Sequence, residues 1–98
     1  MPVRRYDSLI SKRGEILAIA ARHGARNVRV FGSVVRRENG PESDVDLLVE
    51  FEPGRGLLNH SALIEELQIL LGCKVDVASQ NGLKQRIRER VLQEAVAL

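Results

Sequence analysis

The 98-residue sequence has no tryptophan, one tyrosine, two phenylalanines and one cysteine, and each scarcity narrows what the chain can be. With Tyr6, Phe31 and Phe51 as its only aromatics, it lacks the repeated platforms on which single-stranded nucleic acids stack, which argues against a dedicated RNA or DNA reader. A lone Cys73 excludes an internal disulfide and any CxxC zinc pattern, fits a reducing cytoplasm, and reads as a small buried hydrophobe. No apolar run approaches the roughly 18 to 20 residues of a membrane span, and the leading MPVRRYDSLISKR has no signal-peptide core. A cytoplasmic location without a membrane partner is expected. A P-loop and a G-x-S-x-G elbow are both missing, and Gly54-Arg55-Gly56 lacks the third glycine of a dinucleotide fingerprint. His23 and His60 have no metal-type spacing and are expected to be a helix C-terminal charge and a loop residue.

What is present describes one small aliphatic domain over residues 1–98. Hydrophobic residues at 44% and charged residues at 29% give an ordinary globular balance rather than a disordered one. The net charge of +2 is too small to attract a polyanion by itself, so distribution matters more than the sum. Glu42 to Glu52 holds five carboxylates and no base, whereas Lys84 to Arg90 holds four bases and one acid. The first run reads as a cation site and the second as a solvated helix face.

Along the chain, Asp7 or Ser8 can cap a helix with Ile16, Leu17, Ala20 and Ala21 as its apolar stripe, stopped by Gly24. Val28 to Phe31 reads as a short strand with Arg29 solvated or at an edge. Gly32-Ser33 is the turn that leaves it, and a short helix over Val34 to Glu38 precedes the breaker cluster Asn39-Gly40-Pro41. Asp44 to Phe51 is the clearest strand, because Val45, Leu47, Val49 and Phe51 alternate with Asp44, Asp46, Leu48 and Glu50. Leu63, Ile64, Leu67, Leu70 and Leu71 recur at helical spacing until Gly72. Lys74 to Ser79 is a third strand, and Leu83, Ile87, Val91 and Ala95 define a final helix. The order predicts an α/β or α+β sheet backed by helices, with strand order left open.

Chemistry concentrates at the strand ends. Asp44 and Asp46, two apart on a strand, project from one face about 6.6 Å apart and can ligate one metal centre, with Val45 pointing into the core to fix their register. Hard carboxylate oxygens favour Mg²⁺ or Mn²⁺, which complete their coordination with water and substrate phosphates. Asp76, between Val75 and Val77, sits in an apolar setting where a carboxylate is costly without a partner, and is assigned as the third acid, a further metal ligand or proton acceptor. Two ions would then clamp an in-line displacement at phosphorus. Gly32 admits a phosphate close to the backbone, Ser33 offers a hydroxyl and helix-end N–H groups, and Arg36 is assigned to the β or γ phosphate, with Arg37 as the other candidate. A Gly-Ser pair alone is an ordinary turn and a lone Asp-x-Asp an acidic strand end; their combination in one strand-loop-strand frame is far more specific.

Val30-Phe31-Gly32-Ser33, then Arg36, then Ser43-Asp44-Val45-Asp46-Leu47-Leu48-Val49-Glu50-Phe51 resembles the GS-x10-DxD signature of minimal nucleotidyltransferases of the DNA polymerase beta superfamily. The resemblance extends over nearly the whole chain, including the helix ending in His23-Gly24 and the strand Lys74-Val75-Asp76-Val77; Arg37 departs from it where the family often carries glycine. It implies a small nucleotidyltransferase fold with a three-to-four-stranded mixed sheet backed by helices, and Mg²⁺-dependent transfer of a nucleoside monophosphate from ATP or a related triphosphate. It also implies an antitoxin role beside a HEPN-domain toxin partner whose hydroxyl accepts AMP. Two rivals remain: a binding module that neutralises its partner by contact alone, and a small-molecule nucleotidyltransferase.

Overall fold

Strict alternation in the acidic segment and helical spacing before and after it produce a one-sheet, helix-backed architecture. The computed structural model describes residues 5–36 and 44–98, the side chains of Ser33 and Arg36 excepted. Its elements are α1 (Arg5–Ser11), α2 (Arg13–Arg22), β1 (Ala25–Phe31), α3 (Ser33–Arg36), β2 (Val45–Phe51), α4 (Leu57–Leu71), β3 (Val75–Ser79), a 3-10 turn (Gln80–Gly82), α5 (Gln85–Glu94) and β4 (Val96–Ala97). The sheet order is β3-β2-β1-β4. β1 runs antiparallel to both β2 and β4, while β2 and β3 are parallel, a pairing that needs a crossover, here supplied by α4. The expected mixed sheet backed by helices is therefore present, with four strands.

One face of the sheet is the core. Val28, Val30, Val45, Leu47, Val49, Val75 and Val77 bury against Leu9 of α1, Ile16 and Ala20 of α2, and Leu63, Leu67 and Leu71 of α4. The other face carries Asp46, Leu48 and Glu50 on β2 with Asp76 and Ala78 beside them on β3, as the pleat requires. Leu48, on this otherwise polar face, is completely buried. The 3-10 turn folds back toward β2 at this point, and Gln80 accepts a hydrogen bond from the Arg29 guanidinium. Arg29, expected to be solvated or at an edge, is thus half-buried in an interior strand.

Several local expectations are corrected. The first helix is two helices: the Ser11 hydroxyl donates to the Ser8 carbonyl, the Lys12 amide is shared between Ser8 and Leu9 carbonyls, and the axis breaks there, a side-chain competition typical of serine. Asp7 and Ser8 lie inside α1 and cap nothing, and Ala21 is exposed. β1 starts at Ala25, earlier than the expected Val28, and carries a bulge between Arg26 and Arg29 with Asn27 at φ 52°. Asn27 tolerates this left-handed conformation, and its amide donates to Glu50. His60 is on α4, not in a loop, with its ring 5.3 Å from that of Phe51. Cys73 is half-buried against the core rather than fully buried. Finally, α5 stops at Glu94, Ala95 caps it, and Val96–Ala97 joins the β1 edge instead of continuing the helix. No helix among the described residues is long and apolar enough to cross a membrane.

Candidate active site

The parallel pairing of β2 and β3 brings the predicted acids together. In register, Val45 faces Val75, Asp46 faces Asp76 and Leu47 faces Val77. Paired residues of neighbouring strands point to the same side, about 4.8 Å apart along the hydrogen-bonding direction. With Val75 and Val77 buried in the core, Asp76 is turned to the opposite face beside Asp46. Asp76 is not in the apolar setting expected of it: its side chain is exposed, and the valines that flank it are on the other face. Its placement beside Asp46 follows from register, and no burial penalty acts on it.

Asp44 immediately precedes β2 and is exposed, whereas Asp46, within the strand, is half-buried. The strand is anchored at this end by the Val45 amide, which donates to the Lys74 carbonyl at 3.0 Å. Asp44 also acts on Cys73: burial pushes that thiol's pKa up, the Arg5 guanidinium pulls it down, and the Asp44 carboxylate pushes it up again. Cys73 is thus within electrostatic reach of both Arg5 of α1 and Asp44, a proximity that linear spacing gives no sign of.

Gly32 abuts the acids from β1. Phe31 pairs with Asp46 across the antiparallel ladder, and Gly32 follows at φ 80°. A Cβ built on Gly32 would lie 2.5 Å from Asp46 Oδ2, so glycine is required there for both backbone conformation and space. The turn closes with the Val35 amide donating to the Gly32 carbonyl. Ser33 and Arg36 occupy the first and last positions of α3; their side chains lie outside the described residues, as do Arg37 and Ser43 altogether. A groove opens between Gly32 and α5, lined by Phe31, Gly32, Ile87, Arg90, Val91 and Glu94. The i, i+4 stripe located α5 but carried no information about where it docks.

Among the described residues, no three carboxylate, histidine or cysteine side chains converge into a preassembled metal cage. Two carboxylates on adjacent strands with a third at the strand entrance are instead a donor set of the kind Mg²⁺ completes with water and substrate phosphates. His23 and His60 take no part: His23 caps α2 and meets Glu66 at 3.1 Å, and His60 contacts the Val77 carbonyl.

Residues 15–98 match the nucleotidyltransferase domain family. The chain belongs to that family. This nucleotidyltransferase domain is 47% identical to the protein adenylyltransferase MntA of Thermococcus cleftensis over 75 residues, 76% of each chain. It is 40% identical to a Methanocaldococcus jannaschii protein assigned as a protein adenylyltransferase, covering 84% of this chain and 88% of that one. A solved structure of a protein assigned as a minimal nucleotidyltransferase superposes with a TM-score of 0.83 at 52% identity, covering 94% of both chains. The nucleotidyltransferase fold is shared more distantly with a toxin–antitoxin complex solved with AMP-PNP, at a TM-score of 0.73 and 16% identity over 86% of this chain and 69% of that one.

Proposed function

We propose that the chain is a Mg²⁺-dependent protein adenylyltransferase that moves AMP from ATP onto a hydroxyl of a HEPN-domain toxin, acting as its antitoxin. The observation that carries this reading is the Asp46–Asp76 pairing with Gly32 against Asp46. Relatives at 40% and 47% identity bear the protein adenylyltransferase name, and a neighbour of the same fold is an antitoxin complexed with a tri-AMPylated Shewanella oneidensis HEPN toxin; both support the choice of acceptor.

Asp44 and Asp46 would hold the metal, with Asp76 on the adjoining strand as the third acid serving one or two ions. Their hard oxygen donors suit Mg²⁺, with Mn²⁺ as a substitute. Bound there, a divalent ion neutralises phosphate charge and polarises the phosphoryl oxygens. Gly32 lets the triphosphate approach the backbone, while Ser33 and Arg36 hold its oxygens. The acceptor hydroxyl attacks the α-phosphorus, forming the new O–P bond. The bond from that phosphorus to the bridging oxygen breaks, pyrophosphate leaves with the electron pair, and Asp76 takes the hydroxyl proton. Strands backed by core fit this work, since the backbone that carries Asp46 and Asp76 is held in place before substrate arrives.

Incubating the chain with a HEPN partner and Mg-ATP, followed by intact-mass measurement of the partner, tests the reading. One or more adenylate additions are expected. A partner whose mass is unchanged with every nucleoside triphosphate tried would overturn the enzymatic assignment.

A further inference from the structure

α5 offers two distinct faces. Gln85, Arg88, Glu89, Leu92 and Gln93 line one groove with Leu83, while Ile87, Arg90, Val91 and Glu94, at i, i+3, i+4 and i+7, line the other with Phe31 and Gly32. Of the bases between Lys84 and Arg90, Arg90 lines this groove beside Gly32. Arg90 is exposed and makes no hydrogen bond or ion pair with any described residue, whereas Arg22, Arg29 and Arg55 all have partners. Gly32 thus abuts the Asp46 carboxylate and shares a groove with Arg90, which has no partner among the described residues.

On the reading of this site as a nucleoside triphosphate site, we propose that Arg90 is a further binding residue for the phosphate tail, reaching across the groove to oxygens held at Gly32. The chemistry suits it. A guanidinium presents a planar fork of donors to phosphate oxygens, and a tail of several phosphates carries more charge than two or three carboxylates and their metal leave room to neutralise on one side alone. Phe31, Ile87 and Val91 give the groove an apolar lining beside Arg90. Arg86 and Arg88 do not line this groove and serve as solvated charges.

Calorimetric titration of the full chain with ATP, ADP and AMP in Mg²⁺ buffer, repeated for R90A, R90K and R88A, tests the proposal. R90A is expected to weaken ATP binding about tenfold or more, the size of one lost charge-assisted hydrogen bond, and AMP binding less than threefold. R90K should recover part of the loss, and R88A should bind ATP within about twofold of the parent. Thermal melts confirm that each variant is folded, and R90Q replaces R90A if that variant is not. A parent chain that binds no nucleoside triphosphate would overturn the triphosphate site and Arg90's role with it. A parent that binds ATP together with an R90A that binds it equally well, or an R88A that loses as much as R90A, would overturn the role of Arg90 alone.

Discussion

The β1–β2–β3 half of the molecule and its C-terminal α5–β4 end treat the same acidic face in opposite ways. In the first, each candidate carboxylate is one residue away from a buried valine or leucine, so the core holds the backbone there. In the second, Val91 is the only residue of α5 that is buried, Ile87 is 42% exposed and Val96 39% exposed. One half places groups rigidly, and the other lays a thinly anchored basic helix beside them. Stability is therefore expected to reside in the first half, and substrate contacts to be divided between the two.

The sharpest way to break this contrast is at the acids. Asp44→Asn combined with Asp46→Asn is expected to lower AMP transfer by about three orders of magnitude, roughly 4 kcal/mol of transition-state stabilisation, while the melting temperature hardly moves. Transfer is read by partner mass; loss of HEPN neutralisation in the same variant separates enzymatic from contact inhibition. Next in size is Leu47→Ala, which empties a fully buried position on the core face of β2, next to Asp46 in the chain, and should cost about 2 to 5 kcal/mol in urea denaturation. Gly32→Ala follows. It combines a left-handed backbone with a Cβ pressed on Asp46 and should cost about 1 to 3 kcal/mol while reducing transfer, because the carboxylate must shift. Val91→Ala should cost only about 1 to 2 kcal/mol, and Ile87→Ala less than about 0.5 kcal/mol by the same denaturation measurement. If Val91→Ala proved as damaging as Leu47→Ala, α5 would belong to the rigid half and the contrast would collapse.

Legibility in the sequence follows the same division. The alternation through Val45, Leu47 and Val49 located β2 and its acids because period-two burial leaves a direct trace, and Gly72 stopped α4 as expected because its left-handed cap is a local property. The pairing of Asp46 with Asp76 left no such trace, since strand order and register depend on how α4 crosses over. Asp76 was selected for an imagined burial cost, and it is register that places it beside Asp46. β4 escaped notice because two residues are too few to show alternation and Ala95 extended the helical stripe plausibly. The break at Lys12 escaped because apolar spacing continues across it. The expected strand began only at Val28, because a bulge is what accommodates Arg26 and Asn27 within β1. The docking of α5 beside Gly32, on which Arg90's proposed role depends, is purely tertiary.

The parallel ladder between β2 and β3 has a consequence for how this chain could fail. Because side chains alternate, sliding β3 by one residue against β2 would bring Val75 or Val77 to the position of Asp76 and drive Asp76 toward Leu63 and Leu67, at the cost of burying a charge. A mispaired sheet would thus be both inactive and unstable. Proofreading of the strand alignment is built into the placement of the acids themselves: a molecule that has assembled its carboxylate pair has, by the same event, aligned its strands.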